Sequence, residues 1–423
     1  MYYYKTARML VSLRHILSPL FFLSLCLASK AQTNYTLRQA LQVARTGNPI
    51  LKAEQFNIEI AQSDIISAGI RPNPVLNNQT LLLTRPFRFP ESFGASDRQV
   101  WWQLTKTFQI AGQRGYKLDF ARESVSLSEK DYAETERALF YDVATKWMEV
   151  WAAQKQLDIL TTAKSNMDSL LTSNLLRYKN QVITRTDLFR VELLSKQYAI
   201  QRETAARELV NSQNELSFLL GVDSAFVDTA DHIFTIVPAE MDSLYKWALE
   251  NRGDIQAAIS LINLSNSNIK LQKALAYPQP ELGAIWNPQN SVPYFGIYAT
   301  VDLPLFNRNQ GEIKKSYLLK DQAGQRLSAI QNQSRTEVEN AYASYRTHRR
   351  NIENFEAVSE QAQTVLDNVR YAYLKGGTTI IDFLEAQRGW LETRRQYYEA
   401  SRQYRQSYIQ LLYATGLINQ LAQ

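Results

Sequence analysis

"RPNPVL", residues 71–76, and "YPQPEL", residues 277–282, decide the fold. Each sets two prolines one residue apart at the end of a long polar stretch with helical spacing. Proline breaks a helix interior and removes a donor from a strand. Pro72, Pro74, Pro278 and Pro280 therefore mark a helix-to-strand junction, and the mark occurs twice. Their fixed φ starts an extended chain at a strand end, where no ladder bond is lost.

The flanking residues repeat as well. At an offset of 206, Ile65, Ala68 and Leu76 meet Leu271, Ala274 and Leu282. Farther on the offset is 195, and Trp147, Val150, Leu157 and Leu160 meet Tyr342, Tyr345, Ile352 and Phe355. Tyr178, Thr184, Asp187, Leu216 and Gly221 meet Tyr373, Thr379, Asp382, Leu411 and Gly416 at the same offset. The change of offset falls around "TRPFRFPESFGASD", residues 84–97. Length changes are tolerated in exposed connections, so this stretch reads as a surface loop. The chain divides into a first repeat (32–225), a linker (226–244) and a second repeat (245–423).

Each repeat has the same plan. A helix of some 30 residues, 39–70 or 245–276, is followed by two short segments. A very long helix follows, 113–178 or 310–374, and then another, 184–220 or 379–415. Apolar residues spaced three and four apart support the helices, as in Tyr342, Tyr345, Ile352, Phe355, Ala362, Leu366 and Val369. Proline is absent from 91–237 and from 305 onward. A helix of about 65 residues is about 100 Å long, and such rods in pairs imply coiled-coil-like packing.

The short segments, 74–84, 98–108, 280–287 and 292–303, have another period. In the last, Phe295, Ile297, Ala299, Val301 and Leu303 alternate with Tyr294, Gly296, Tyr298, Thr300 and Asp302. Alternation over about ten residues is the signature of outer-membrane barrel strands. Trp101, Trp102, Trp286 and Tyr294 are candidate interfacial aromatics. A small soluble β-layer capping a helical bundle has the same periodicity. Four strands cannot close a barrel, so strands in lipid require several chains to share one.

Composition narrows the function classes. The chain has 423 residues, 45% hydrophobic and 21% charged, ample for a packed core. Lys5, Arg8 and Arg14 precede an apolar run from Ile16 to Ala28, and Ser29-Lys30-Ala31 offers a cleavage site. Residues 1–31 read as a signal peptide, the alternative being an uncleaved anchor. The only cysteine, Cys26, lies within it behind Leu25, which is too large for a lipoprotein site. The segment carries four of the 47 basic residues, leaving a balance of +2 over the remainder. That excludes support for a nucleic-acid partner. His232 and His348 lie far apart and form no metal-ligand cluster. Walker, HExxH, Ser-His-Asp and GxSxG patterns are absent, so neither an enzyme nor a cofactor is expected.

Laid out this way, the sequence resembles the TolC family of outer-membrane efflux factors over about 35–420. The marks are "TLRQALQVARTGNP", the two double-proline junctions, "DLPLFNRNQGEI", "RYKNQVITRTDLFRVE" and "YLKGGTTIIDFLEAQ". The resemblance implies a mainly α fold with a small β part. Long coiled-coil hairpins and four transmembrane strands per chain join, in a homotrimer, into a twelve-stranded β-barrel above an α-helical barrel. It implies a passive exit duct in the outer membrane, embedded in its lipid and extending into the periplasm. An inner-membrane pump, of the resistance-nodulation-division type, and a periplasmic adaptor protein would deliver the cargo. Ala111-Gly112-Gln113-Arg114 stands where the heavy-metal efflux branch carries a Gly-Gly-Lys-Arg-like run, so metal cations or drugs are the expected cargo. A type I secretion duct of the same fold, or a periplasmic scaffold without membrane strands, are the competing readings.

The resemblance places the two hairpin tips at the periplasmic entrance. Gln181, Val182, Ile183 and Thr184, with Gly376, Gly377, Thr378 and Thr379, are then adaptor contacts. Arg185, Asp187 and Asp382 are gate candidates. Read locally, each Thr and the acid three residues later form a helix start. Gly376 and Gly377 permit a tight turn, and Asn180 and Gln181 replace them in the first tip.

Overall fold

The computed structural model describes residues 34–82, 98–230, 240–288 and 293–422. The signal segment, the loop 84–97 and His232 lie outside these, as does much of the linker. Strand β1 (Asn34–Tyr35) precedes helices α1 (Leu37–Gly47) and α2 (Pro49–Gly69). Strands β2 (Val75–Leu82) and β3 (Arg98–Thr107) lead into α3 (Gln113–Lys179) and α4 (Arg185–Leu220). After β4 (Phe226–Val227) come α5 (Met241–Asn251), α6 (Gly253–Leu275), β5 (Glu281–Asn287) and β6 (Tyr294–Thr300). Helices α7 (Gln310–Lys375) and α8 (Ile380–Ala414) and a short 3₁₀ turn (Ile418–Ala422) complete the chain.

The two helices expected over 39–70 and 245–276 are each broken in two. At the first break Asn48 has extended geometry, φ −64° and ψ 125°, and Pro49 opens α2. Proline lacks the N–H that would continue the ladder and pushes its predecessor out of the helical region. The Asn48 side chain caps α2, accepting from the N–H groups of Ile50 and Leu51 at 2.9 and 3.1 Å. At the second break Arg252 has φ −73° and ψ 125°, with no proline beside it. The linker also holds more order than expected. Within it β4 pairs in parallel with β1, Asn34 opposite Phe226, and α5 starts at Met241 rather than 245.

Both breaks meet a helix end. Asn48 Nδ2 donates to the Leu219 carbonyl at 2.9 Å, and Arg252 Nη1 to the Ala414 carbonyl at 3.3 Å. These carbonyls belong to the last turns of α4 and α8, where no intrahelical partner exists. Helix α2 thus continues the line of α4, and α6 that of α8, each pair lying beside α3 or α7. The meetings are close: a Cβ on Gly221 would lie 2.6 Å from the Gly47 carbonyl oxygen, and one on Gly416 2.7 Å from the Asn251 carbonyl carbon.

Helices α3 and α7, of 67 and 66 residues, run about 100 Å at 1.5 Å per residue. Near the sheet α3 packs against α2 and α6, and α6 against α7. Farther out α3 packs against α4 and α8, and α8 against α7. The wide part of the core holds Phe140, Trp147, Leu216 and Leu244. A second core toward the tips holds Met167, Val191, Leu366, Phe383 and Trp390.

An ion cluster clasps this wall. The Arg137 and Arg252 side chains are each only 3% exposed. Arg137 Nη2 pairs with Glu134 at 2.6 Å, Arg137 Nη1 donates to the Tyr413 carbonyl at 2.7 Å, and its guanidinium covers the Tyr413 ring. Arg252 pairs with Asp254 and Glu337, both at 2.6 Å. Glu134 also accepts from the Asp254 N–H at 2.9 Å, capping α6 from a neighbouring helix. Burial alone would push the Arg252 guanidinium below its ordinary value; hydrogen bonds to Asp254 and Glu337 reverse that and carry it above. Burial likewise raises the Asp254 carboxyl, but Arg252 overrides it and holds it below the usual range.

The strands form one antiparallel sheet in the order β2-β3-β5-β6. Its register puts Trp102 opposite Trp286, Leu104 opposite Ala284, Ile297 opposite Ala284 and Phe295 opposite Trp286. One face is mainly apolar, with Leu76, Trp102, Leu104, Leu282, Trp286, Phe295 and Ile297 all exposed, and Asn78, Thr80 and Lys106 share it. Phe295 is 70% exposed and Ile297 82%, so nothing among the described residues covers this face. The other face carries Asn77, Gln79, Gln103, Thr105, Glu281, Tyr298 and Thr300, together with Val75, Trp101 and Ile285. On it the Thr105 and Tyr298 hydroxyls are hydrogen-bonded, and a Cβ on Gly283 would strike the Tyr298 ring. The expected segments begin or end up to a few residues beyond the observed strands, and residues 301–303 lie outside β6.

Breaking the clasp has a defined cost. Removing one partner of a buried pair costs on the order of 3 kcal/mol. Arg252→Ala should accordingly lower the thermal midpoint of the detergent-solubilised protein by several degrees. Because Asp254 titrates below 3.8 in the folded chain, its contribution is fully present above pH ~4. It is lost as pH falls through the depressed value. Wild type should thus lose stability in acid more steeply than Arg252→Ala does, measured as midpoint against pH.

Candidate functional site at the hairpin tips

The tips are the turns α3–α4 and α7–α8, about 100 Å from the sheet along the long helices. In the first, α3 ends at Lys179 and Gln181 adopts φ +60°. The Val182 N–H donates to the Arg177 carbonyl at 2.8 Å. In the second, Gly376 has φ +80° and the Gly377 N–H donates to the Ala372 carbonyl, also at 2.8 Å. Both turns are Schellman-type closures, in which a left-handed residue lets the chain cap the last helical carbonyls. Gln181 takes the place that Gly376 holds in the other tip, despite its Cβ. The first tip therefore stores backbone strain that the second does not.

Threonine opens the returning helix each time. Thr184 Oγ1 accepts from the Asp187 N–H at 3.2 Å and donates to the Asp187 carboxylate at 2.8 Å. Thr379 Oγ1 accepts from the Asp382 N–H at 3.2 Å, while the Thr379 N–H donates back to Asp382 at 3.1 Å. Thr378 adds a third bond to Asp382, at 2.7 Å. These hydroxyls and the backbone amide hold the Asp382 carboxyl below the usual carboxylate range.

The three gate candidates are engaged locally within one chain. Asp382 serves its capping box, Asp187 also meets Arg190 at 3.3 Å, and Arg185 lies over the Phe189 ring at 5.0 Å. The fold does not bring Arg185 and Asp382 together inside a single chain. It does bring together a feature that the sequence reading passed over. Leu176, Val182, Phe189, Tyr371, Leu374 and Ile381 are all exposed around the tips, Val182 by 63%. Apolar residues off the core stripe of α3 and α7 were the available signal. Beneath them Tyr373 stacks on Phe383, and its hydroxyl donates to buried Asn174 at 2.9 Å.

At the opposite end, Pro72 and Pro74 lie between α2 and β2, and Pro278 and Pro280 between α6 and β5. Their carbonyls are used: Lys106 Nζ donates to Pro72, and the Phe108 N–H donates to Pro280 at 2.8 Å. The 111–114 stretch completes this junction. Gly112, at φ +73°, opens α3, Gln113 is buried, and Arg114 Nε donates to the Gly69 carbonyl at 2.6 Å, capping α2. Among the described residues no group of three or more His, Cys, Asp or Glu is placed to hold a metal ion. Nor is any described helix long and apolar enough to cross a membrane, which bears on helices alone.

The family model for outer membrane efflux protein matches residues 40–222 and 244–417. Pyoverdine export outer membrane protein OpmQ of Pseudomonas aeruginosa is 23% identical over 383 residues, 83% of this chain and 79% of that protein. Cobalt-zinc-cadmium resistance protein CzcC of Cupriavidus metallidurans is 20% identical over 363 residues, 84% of this chain and 83% of that protein. Among solved structures, CusC, described in connection with transmembrane channel formation, superposes with a TM-score of 0.74 at 16% identity. It covers 92% of this chain and 95% of that one.

The turn geometry separates two substitutions by sign. A Cβ on Gly376 meets nothing within 4 Å, so Gly376→Ala tests backbone conformation alone. It should destabilise by about 1 kcal/mol. Gln181→Gly relieves the same strain and should leave stability unchanged or raised. Thermal midpoints of the two variants against wild type check both.

Proposed function

Because the chain belongs to the outer membrane efflux protein family, we propose that three copies close around one axis into a single exit duct. The chain acts in the outer membrane and reaches into the periplasm. In this reading the four-stranded sheets join into a twelve-stranded barrel. The rods below continue it as a helical conduit to the tips.

The sheet carries this reading. Its mainly apolar face is exposed and its other face carries amides, hydroxyls and Glu281 beside Trp101 and Ile285, a bias in the direction of a barrel with lipid outside and water inside. Strands β2 and β6 each have an unpaired outer edge among the described residues. An open edge in lipid leaves backbone groups without partners, and closure removes it. The β2 edge differs from the β6 edge, so joining them is a heterologous, head-to-tail contact that closes as a ring. The helices support the same closure. Phe56, Ile60 and Ile66 are exposed on α2, and Leu318 on α7. Phe306, beyond β6, is 91% exposed, which suits a residue that a neighbouring copy covers.

A water-filled conduit of this width discriminates weakly between solutes. Cargo is then chosen upstream, by an inner-membrane pump and a periplasmic adaptor. The names of the relatives fit such a division, since OpmQ is named for pyoverdine export and CzcC for metal resistance. Metal cations or drugs are the expected cargo here. The adaptor would dock on the tips, from Gln181 to Thr184 and from Gly376 to Thr379, with Leu176, Tyr371 and Ile381 supplying apolar contact. Arg185, Asp187 and Asp382 would restrict the entrance through contacts between copies.

Purified protein in mild detergent should migrate as a trimer and conduct ions across a planar bilayer. A monomer that never conducts refutes the reading. Ile297→Arg places a charge on the lipid face and should cost about 2–4 kcal/mol, read as loss of assembled trimer. Asp382→Ala should raise single-channel conductance. Conductance and cargo sensitivity equal to wild type would remove Asp382 from the gate.

A further inference from the structure

Between α3, α7 and α8, above the second tip, lies a cavity of about 210 Å³. Gln387 lines it and is fully buried, at 0% exposure. Neither its Oε1 nor its Nε2 has a hydrogen-bond partner. Part of the polar lining is committed elsewhere. Trp390 Nε1 donates to Gln363 Oε1 at 2.6 Å, and Gln363 Nε2 donates to Asp367 at 3.1 Å. Asn174 accepts from the Tyr373 hydroxyl that also lines the cavity, yet its buried Nδ2 has no acceptor.

A buried amide left unpaired costs about 1–3 kcal/mol. An apolar side chain of similar size would avoid that cost, as the surrounding core of Leu170, Leu366, Phe383 and Trp390 does. At the matching position of the first repeat stands Glu192, which is partly exposed and pairs with Lys196 at 2.7 Å. Helix α4 flanks α3 there, whereas α8 sits between α3 and α7, so the same helical face is buried in one hairpin and wet in the other. The cavity is roomy enough for several waters, each needing only ~10–15 Å³ of probe-occupied volume. The hydroxyls of Thr162 and Ser169 donate to their own helix and keep lone pairs open toward it.

We propose that this cavity binds a cluster of ordered waters bridging Gln387 to its polar walls. The cluster forms a hydrated seam between the α7–α8 hairpin and α3. Water exchanges hydrogen bonds readily, whereas interdigitated side chains must unlock together. The seam lies within a few turns of the entrance assigned above. Its hydration stands apart from that assignment, so the test reads water and local opening rather than transport.

A high-resolution map of the wild-type protein should show ordered density within hydrogen-bond distance of both Gln387 amide atoms. Xenon under pressure should not enter, because xenon fills dry apolar cavities. An empty map, or xenon in the cavity, overturns the proposal. Gln387→Leu, with Gln387→Met as a second variant should the first fail to fold, removes the bridging amide. Amide hydrogen exchange over 376–390 should slow about threefold or more in the variant. Unchanged or faster exchange overturns the seam. Loss of ion conduction in wild type would instead sink the duct and leave the waters in place.

Discussion

The carbonyls at the ends of α4 and α8 need partners, and the chain supplies them from the breaks at Asn48 and Arg252, earlier in each repeat. Asn48 reaches Leu219, and Arg252 reaches Ala414. This contact lets two shorter helices stand in line beside one of about 100 Å, so that the wall keeps the same thickness from sheet to tip. Gly47, Gly221 and Gly416 allow the backbones to approach at these joints, where any Cβ would collide. The second joint is charged and the first is neutral. Arg252 then needs Asp254 and Glu337, and Arg137 and Glu134 tie the same corner to α3. A buried cluster of this kind is weak evidence of stability but fixes one geometry, since few other arrangements satisfy every charge.

The same wall explains the division of labour along the molecule. The sheet end is sided, apolar without and polar within. The tip end is exposed on its apolar residues and capped by threonine. The family to which the chain belongs is that of outer membrane efflux proteins. In the proposed duct, energy and selection belong to partners that meet the tips. The two tips differ in one residue with physical weight, Gln181 against Gly376, so each chain presents two unlike turns.

Much of this was legible in the sequence. The double prolines locate the junctions because a ring without an N–H reads the same wherever it stands. The alternation over 294–300 gives the strand and its face. Thr379 and Asp382 announce their cap, since all the atoms involved lie within four residues. The breaks at Asn48 and Arg252 were not read. The first had a local signal in Asn48-Pro49, overridden by the continuous apolar spacing on either side. The second had none, because its cap comes from Glu134 in a distant part of the chain. Pairing of β1 with β4, burial of Arg137 and the wet position of Gln387 depend on which helices become neighbours. Periodicity reports a face; it does not report what covers that face.

The unpaired edges have a consequence before assembly. A newly exported chain can complete its helical hairpins early, because their contacts are close in sequence and local contacts form fast. In the proposed ring no one chain completes the sheet. Until neighbours arrive, β2 and β6 offer bare ladders beside Phe295 and Ile297, a template for misdirected pairing. Yield in the cell is then a race between ring closure and aggregation, one that rises with the local density of correct partners and falls with the time spent in transit.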